Sequence, residues 1–313
     1  MPEVVNVDNF ARAESNLMFS RLLADGTLGA WTHYRHLSPL DQQPIIRQNR
    51  DTLYSAAIVD VAHGATLTIP PIVPPRYLSV MVVNQDHYIP EIFHDAGTYA
   101  LSADHLGTRY VMLGARILVD PADADDVAEV NALQDQLGLS SDSDEPFIVP
   151  DYDEASHVAT RTSLIELSRG IADFRGAFGR QDEVSPVRHL LGCASGWGGL
   201  PSHEAHYLNV DPQLPVGDYS LNMADVPVDA FWSISVYNAE GYFEPNPFGL
   251  NNLNSVTAIP DPNGSTTVWF GSEPKGRKNF LPIMEGWNFL VRLYRPRPEA
   301  VNGGWRLPEL SAQ

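Results

Sequence analysis

The chain has 313 residues, with 39 acidic against 20 basic side chains, a net charge of -19 and a single cysteine, Cys193. A surface of this charge repels nucleic-acid phosphates and anionic lipid, so neither is expected as a partner. One cysteine excludes an intrachain disulfide. The length allows a large core and two domains, and no segment approaches the roughly 20 apolar residues of a membrane span. The first eight residues lack a basic-then-apolar secretion signal, which predicts a cytoplasmic protein unless a signal has been removed.

The N-terminal half is predicted to begin with a helix and to continue as β-strands. The helix is expected at 8–25, capped by Asp8 and ended by Gly26, with Phe10, Leu17, Met18 and Leu22 as its apolar stripe. A second helix, at 123–137, has acidic residues in its first turn. Apolar runs predict strands at 56–60, 64–69, 76–84 and 107–119.

The C-terminal half is predicted to begin with helices and to end as strands. A polar, acidic loop at 140–146 is the best domain boundary, helices are expected at 153–178 and 185–191, and the glycine-rich stretch 192–201 is expected to be a loop. Strands are predicted at 218–223, 230–237, 265–270 and 289–294. This order predicts a mainly β fold with helices, made of two β-sandwich-like domains and a helical connecting segment. The predicted limits are 1–140, 141–200 and 201–313.

The most polar part of the chain is Arg47-Gln48-Asn49-Arg50-Asp51-Thr52-Leu53-Tyr54-Ser55, which runs directly into a buried strand. A buried arginine or carboxylate needs a partner. Two interpretations stay open: an internal network of ion pairs and hydrogen bonds that locks sheets together, or a set of groups that bind a ligand.

Residues 49–55 resemble the signature of the bacterial family in which domain of unknown function 1254 is followed by domain of unknown function 1214. The resemblance implies two β domains of sandwich or jelly-roll type, the first within 1–140 and the second within 201–313. It recurs at Asn84-Gln85-Asp86-His87-Tyr88, Gly196-Trp197-Gly198-Gly199-Leu200-Pro201, Val228-Asp229-Ala230-Phe231-Trp232-Ser233, Gly241-Tyr242-Phe243, Asn246-Pro247 and Leu293-Tyr294-Arg295-Pro296.

Histidines supply the clearest candidates for chemistry. His87 follows an apolar strand between Asp86 and Tyr88, so it is a candidate general base, metal ligand or haem ligand, or simply a hydrogen-bonded residue at a strand end. In Ser202-His203-Glu204-Ala205-His206-Tyr207, a short helix is predicted that would place His203 and His206 on one face, either as solvated histidines, which is the favoured interpretation, or as part of a metal site. The family resemblance supports Glu204 and Tyr207 better than these two histidines.

Two further stretches are candidates for contact with a ligand. The Gly192–Gly199 stretch has neither the spacing of a nucleophile elbow nor that of a phosphate loop, so its glycines are expected to let Trp197 pack against a pocket or another domain. The C-terminal aromatic residues are expected to be mostly core, although Trp232, Tyr242 and Asn246 could face a ligand.

The sequence favours an enzyme that acts on a small, largely apolar organic molecule. A metal- or haem-dependent oxygenase is slightly preferred, against a hydrolase or lyase that uses histidine and carboxylate acid-base chemistry. A β-sandwich module that binds carbohydrate or another neutral ligand is the non-catalytic alternative, and a homo-oligomer is expected. The predicted catalytic residues are His87, Asp51, Arg50, Tyr54, Tyr88 and Glu204. The predicted substrate-binding residues are Arg47, Asn49, Trp197, Tyr207, Trp232, Tyr242 and Asn246, and the candidate metal ligands are His87, His203 and His206.

Overall fold

The computed structural model describes residues 1–43, 46–74, 76–143, 145–171 and 173–313. Over these residues the chain is mainly β-sheet with helices, which confirms the predicted fold class. None of the described helices has the length and apolar character needed to cross a membrane. The helices are α1 (Phe10–Ala24), α2 (Ala103–Leu106), α3 (Ala124–Asp135), α4 (Glu154–Ser168), α5 (Pro186–Gly196) and α6 (Pro298–Val301). The strands are β1 (Thr32–His33), β2 (Thr52–Asp60), β3 (Ala65–Ile69), β4 (Leu78–Asn84), β5 (Glu91–Phe93), β6 (Gly97–Leu101), β7 (Tyr110–Leu118), β8 (Gly138–Ser141), β9 (Ala205–Val210), β10 (Tyr219–Met223), β11 (Trp232–Tyr237), β12 (Asn252–Asn254), β13 (Thr266–Gly271), β14 (Phe280–Pro282), β15 (Asn288–Tyr294) and β16 (Ser311–Ala312).

The first compact unit comprises residues 1–35, 53–118 and 125–202. It contains a five-stranded sheet in the order β1-β2-β7-β4-β5 and a three-stranded sheet in the order β6-β3-β8. Every residue of β4 is buried, and β4 lies inside this sheet between β7 and β5. Helices α1, α4 and α5 share an apolar core around Phe10, Leu164 and Cys193.

The second compact unit comprises residues 36–52, 119–124 and 203–313. It contains two four-stranded sheets, in the orders β14-β13-β10-β16 and β12-β11-β15-β9. The sheets share one apolar core to which β10, β13, β11 and β15 all contribute, as Leu221, Phe270, Ile234 and Val291 illustrate. Alternating apolar residues on facing strands produce this sandwich. The domain limits proposed from the sequence stay a prediction.

Helix α1 confirms the helix predicted at 8–25, but its buried side was predicted wrongly. The residues it buries include Glu14, Ser15 and Asn16, whereas Leu17 and Met18 of the predicted stripe are only partly buried. These polar groups have partners: Glu14 accepts a hydrogen bond from His157 Nε2 at 2.8 Å, and Asn16 accepts one from Gln85 Nε2 at 2.9 Å. The N-terminal cap is Asn9 instead of Asp8, and no side chain completes it. The polar side of α1 therefore holds the turn that contains His87.

The segment from β8 to α5 differs from the prediction in three places: the start of the predicted acidic loop, the end of α4 and the end of α5. Helix α4 ends at Ser168, because Arg169 is extended and Gly170 has φ +84°, a typical stop. Ala172, within the predicted helix, and Asp144, within the predicted acidic loop, lie outside the described residues. Strand β8 already occupies part of the predicted loop. Helix α5 continues through Gly196, so the first half of the predicted glycine-rich loop is helical.

Gly192 lies in α5 at a point where the helix packs too closely against its neighbours for a side chain. A Cβ atom at Gly192 would lie 2.9 Å from Ala177 Cβ and 2.9 Å from Phe178 Cε1, so the glycine is needed for close packing. The neighbouring Cys193 is buried in the core around Phe10 and Leu164, and this burial raises the pKa of its thiol. Cys193 is therefore a core residue and not an activated nucleophile.

Candidate functional site

The turn after β4 is shaped by the side chain of Asn84. Its Oδ1 accepts the backbone N–H groups of Asp86 and Tyr88, each at 3.0 Å, and its Nδ2 donates to the Leu106 carbonyl oxygen at 3.0 Å. Within this turn His87 has φ +64°, a left-handed conformation that is uncommon for a residue with a side chain. The sequence Asn84-Gln85-Asp86-His87-Tyr88 thus directs the His87 ring inward, where it is fully buried.

The His87 ring is packed against aromatic side chains and held by one backbone group. The Gly198 N–H donates to His87 Nε2 at 2.9 Å, so the ring proton resides on Nδ1. Trp197 and His189 pack against the ring, each with a centroid distance of 5.4 Å. Burial, with a smaller contribution from the charge of His189, lowers the pKa of His87 to about 3. His87 is therefore neutral, and its buried Nδ1 has no hydrogen-bond partner among the described residues.

His189 and Tyr88 complete this aromatic group. The His189 ring nitrogens face two carbonyl oxygens, that of Ala177 at 3.2 Å and that of Asp86 at 3.0 Å. Tyr88 stacks on His189 with a centroid distance of 4.5 Å, and burial raises the pKa of its phenol. These contacts fix the orientation of both rings.

A cationic side chain lies on the other side of Gly198. Arg116 Nη2 donates to the Gly198 carbonyl oxygen at 3.3 Å, and the guanidinium lies 5.5 Å from the centroid of the Tyr54 ring. Gly198 thus joins His87 through its N–H and Arg116 through its C=O. Three separate family motifs, represented by Tyr54, His87 and Trp197-Gly198, meet here around an arginine that belongs to none of them.

Arg116 also marks one face of the five-stranded sheet, which we call the Arg116 face and define by Tyr54, Ser79, Gly114 and Arg116. Ser79 and Arg116 are directly paired across β4 and β7, so their side chains share this face. Tyr54, Gly114 and Arg116 are half-buried, whereas the residues that alternate with them along β2 and β7 are fully buried. The hydroxyl of Ser79 is fully buried and, within the described part of the chain, has no hydrogen-bond partner. The Arg116 face is accordingly a partly open surface that carries a cation, while the Ser79 hydroxyl is closed off from solvent.

The Asn49-Arg50-Asp51 signature lies in the second unit and makes internal contacts. The Asp51 carboxylate is fully buried and accepts hydrogen bonds from Ser233 Oγ at 2.6 Å and from Asn252 Nδ2 at 3.0 Å. Asn49 Oδ1 accepts the backbone N–H of Asp51 at 2.9 Å. Arg50 donates to the Ser38 carbonyl oxygen at 2.9 Å. These contacts correspond to the network interpretation of the signature.

Arg292 is the buried cation of this network. It donates to Ser235 Oγ at 2.9 Å, to Tyr237 Oη at 2.8 Å and to the Arg47 carbonyl oxygen at 2.7 Å. Its pKa is raised, although burial opposes the charge, because Tyr237, Tyr294 and Asp51 stabilise it. Arg47 itself lies with its guanidinium 5.9 Å from the Tyr237 ring centroid. The network joins residues 47–52 to the sheet that contains β11 and β15.

The helix predicted for Ser202–Tyr207 is wrong. A turn precedes β9, which begins at Ala205 and pairs with β15, so His206 and Tyr207 belong to a strand and point to opposite sides. His203 and Glu204 lie in the turn. Over residues 1–43, 46–74, 76–143, 145–171 and 173–313, no group of three or more His, Cys, Asp or Glu side chains could hold a metal ion. The predicted ligands His87, His203 and His206 therefore do not form such a group.

The C-terminal aromatic candidates divide between the core and the surface. Trp232 is buried in the sandwich core, where most of the C-terminal aromatic residues were expected to lie. Tyr242 is 36% exposed. Asn246 uses its amide to hold its own loop, accepting the N–H groups of Phe248 and Leu250 and donating to the Leu250 carbonyl oxygen. Asn246 is thus occupied by its own loop, while Tyr242 presents its ring to solvent.

Sequence reasoning missed Ser79, Arg116 and His189. Ser79 could have been found, because it is the one hydroxyl in the apolar strand Leu78-Ser79-Val80-Met81-Val82-Val83. Arg116 likewise interrupts an apolar run in β7. Nothing local marks His189, whose role depends on its contact with Asp86, 103 positions away.

Comparison with known proteins gives two family matches and two informative structures. The family model described as Protein of unknown function (DUF1254) matches residues 28–141, and the model described as Protein of unknown function (DUF1214) matches residues 212–298. The VPA0106 protein from Vibrio parahaemolyticus is similar over 98% of this chain and 97% of its own, with 18% identity and a TM-score of 0.79. A protein from Burkholderia cenocepacia is similar over 96% of this chain and 87% of its own, with 13% identity and a TM-score of 0.52.

These structural likenesses show the fold alone. A salicylate 1,2-dioxygenase from Pseudaminobacter salicylatoxidans aligns with 10% identity over 100% of this chain and 88% of its own, but its TM-score of 0.24 carries no argument. No curated protein matches the sequence. The two family models follow each other in the order that the motifs predicted. The chain belongs to the family in which a DUF1254 region is followed by a DUF1214 region.

Proposed function

We propose that the Arg116 face binds a small organic acid and that the chain acts on this molecule. The observation that carries the proposal is the Arg116 guanidinium, which lies half-buried on a partly open face of the sheet and contacts the Gly198 carbonyl oxygen and the Tyr54 ring. A carboxylate accepts charge-assisted hydrogen bonds from a guanidinium.

The rest of the face suits a mainly apolar ligand body. Met81 is directly paired with Gly114, so both lie on the same face as Ser79 and Arg116. Gly114 has no side chain, and a Cβ atom there would contact only the Met112 side chain within 4 Å, at 3.4 Å from its sulfur. The Tyr54 ring adds an aromatic surface. An apolar wall with a few fixed polar groups is the usual character of a small-molecule site.

His87 has a positioning role in this proposal. Its Nε2 lone pair accepts the Gly198 N–H, and its Nδ1 carries the proton, so in this arrangement neither nitrogen offers a lone pair to a substrate proton or to a metal. Through Gly198, whose carbonyl oxygen accepts from Arg116 Nη2, the neutral ring helps to place the guanidinium. We therefore assign His87 to holding the loop that orients Arg116.

The oxygenase reaction favoured by the sequence requires a metal or haem, and the residues do not fit a metal. The described residues contain no suitable group of three or more ligands. In His87, Nε2 already accepts the Gly198 N–H and Nδ1 carries the ring proton. No chemical step of this proposal uses a metal or haem.

A thermal-shift screen tests the proposal. Small carboxylic acids such as benzoate and hexanoate are compared with their uncharged amides, using wild type and Arg116→Gln. The proposal predicts that at least one acid raises the melting temperature of wild type, that its amide does not, and that Arg116→Gln removes the effect. Arg180→Gln is the matched control, because Arg180 is exposed and forms ion pairs with its sequence neighbours Asp182 and Glu183. Equal responses of wild type and Arg116→Gln to every acid would refute the proposal.

A further inference from the structure

A cavity of about 270 Å³ lies wholly within the first unit, beside helices α1 and α4. Its lining residues recur at intervals of three and four along each helix, which places them on one helical face. The volume is just below the range of about 300–1,000 Å³ that is usual for drug-sized ligands, so it suits a smaller molecule. We call it the Arg21 cavity and define it by Leu17, Arg21, Val149, Glu154, Val158 and Arg161.

A buried carboxylate holds Arg161 in place at the wall of the cavity. The Glu14 side chain is only 2% exposed, and it accepts from Arg161 Nε at 3.1 Å, from Arg161 Nη2 and from His157 Nε2 at 2.8 Å. Arg161 Nη1 makes no hydrogen bond with the described residues, and it is not closed off from solvent. Because its guanidinium is already fixed, Arg161 offers a ligand an oriented donor without losing further side-chain freedom.

Arg21 and Glu154 carry opposite charges at the same cavity and do not pair with each other. Both side chains are exposed, and over the described ranges neither has an ion-pair partner. The contact made by Arg21 is with Met18 Sδ, 4.0 Å from its Nη1. Since the Arg161–Glu14 pair is neutral, the charges around the cavity balance, which favours a ligand with one charge of each sign over a simple acid or a simple amine.

Leu17, Val149 and Val158 supply the apolar wall of the cavity. Leu17 and Val149 are partly buried and Val158 is 57% exposed, so a ligand side chain that covers them removes apolar area from water. Leu17 stands four residues before Arg21, and Val158 four residues after Glu154, so each helix presents an apolar and a charged side chain next to each other. The partial exposure of Leu17, which was expected to be buried in the stripe of α1, follows from its place at this cavity.

We propose that the Arg21 cavity binds a free α-amino acid with an aliphatic side chain, such as leucine. The carboxylate of the amino acid accepts hydrogen bonds from Arg21 and Arg161, and its ammonium group donates to the Glu154 carboxylate. Its side chain lies against the three apolar residues of the wall. The proposal is independent of the Arg116 face, because no residue of that face lines this cavity.

Isothermal titration calorimetry at low ionic strength tests this inference with L-leucine and three probes that each lack one of its groups: 4-methylpentanoate lacks the ammonium, 3-methylbutylamine the carboxylate and glycine the side chain. We expect wild type to bind leucine at least about fivefold more tightly than each of the other three. Arg21→Gln and Glu154→Gln should each weaken leucine binding at least about threefold. Both residues are exposed, so both variants are expected to fold.

Glu166→Gln and Arg169→Gln are the matched controls, because both residues are exposed at the far end of α4 and neither lines the cavity. Both controls should leave leucine binding unchanged, and so should Arg116→Gln, which separates this cavity from the Arg116 face. The inference would be overturned by no binding of leucine at millimolar concentration, by equal affinities for leucine and any one of the other probes, by Arg21→Gln or Glu154→Gln behaving like the controls, or by loss of leucine binding in Arg116→Gln.

Discussion

Ser79 on β4 and Arg116 on β7 lie directly opposite each other in an antiparallel pair, so a fully buried hydroxyl and a guanidinium share one face of the sheet. Neither residue belongs to the family motifs, yet the motif residues Tyr54 and Gly198 contact Arg116, and His87 is connected to it through Gly198. Arg116 is the centre of the proposed site, and the buried Ser79 hydroxyl opposite it leads to the first prediction.

Ser79→Ala should not destabilise the protein. The hydroxyl that it removes has no partner among the described residues, so the free energy of unfolding should stay the same or rise by about 1 kcal/mol. Urea unfolding followed by fluorescence measures this. Ser235→Ala is the matched control: it is equally buried but accepts from Arg292, so its loss should cost about 1–3 kcal/mol. A cost for Ser79→Ala as large as that for Ser235→Ala would contradict this reading of the hydroxyl.

The contribution of His87 to stability should depend on pH. The folded-state pKa of about 3 lies below the ordinary value of 6.5, so between these values the unfolded chain binds more protons. Relative to His87→Gln, the advantage of wild type should be greatest above pH 6.5 and should fall by about 1.4 kcal/mol per pH unit as the pH decreases toward 3. Urea unfolding at pH 7.5, 6.0 and 5.0 measures the difference.

His63→Gln is the control for the pH experiment, because His63 is exposed. Its effect on stability should be small and nearly the same at each pH. A wild-type advantage over His87→Gln that does not change between pH 7.5 and 5.0 would show that His87 can be protonated in the folded protein.

Asp51→Ala should be strongly destabilising because it leaves the donors of Ser233 and Asn252 unpaired in the interior. We expect a loss of about 3 kcal/mol in the free energy of unfolding. Asp86→Ala should lose no more than about 1 kcal/mol, because the Asp86–Arg12 ion pair is partly exposed. Denaturant unfolding of both variants gives the comparison. If Asp51→Ala were as stable as Asp86→Ala, the signature would not be a structural network.

Two glycines of α5 should respond oppositely to alanine. Gly192→Ala forces a Cβ atom to within 2.9 Å of Ala177 Cβ and should cost about 1–3 kcal/mol. Gly196→Ala brings its Cβ atom only to an ordinary 3.5 Å from Phe178 and should stabilise the helix by up to about 1 kcal/mol. Thermal unfolding of the two variants measures the contrast. Equal effects would mean that the predicted loop, and not a helix, begins at residue 192.

The sequence predicted the fold class because the pattern of each main element is local. Strand β4 has apolar residues on both faces, and α3 has a clear amphipathic pattern with acids in its first turn. The pattern failed in α1, where Glu14, Ser15 and Asn16 are buried, because polar groups from distant segments stabilise them there. It failed again at β9, which is stabilised as a strand by pairing with residues of β15 that lie 79 to 89 positions away.

The candidate site was predicted only in part, for the same reason. The motifs identified His87, Tyr54 and Trp197, but the bond between Gly198 and His87 spans 111 positions and depends on the tertiary fold. Ser79 and Arg116 could have been identified only because each is a polar residue inside an otherwise apolar strand. Asp51 lies in the most polar stretch of the sequence, yet its contacts are structural. The sequence could not distinguish the two roles, because a buried network requires the same residue types as a catalytic site.

Calorimetry on wild type and on Arg116→Gln, with an organic acid and its amide as ligands, decides whether the acid binds at Arg116. With the best acid from the screen, wild type should prefer the acid over the amide by about tenfold or more, since a hydrogen bond between charged groups is worth about 1.5–3 kcal/mol. In Arg116→Gln the ratio of the two affinities should approach one. An acid preference that survives this substitution would place the site away from Arg116 and refute the proposal.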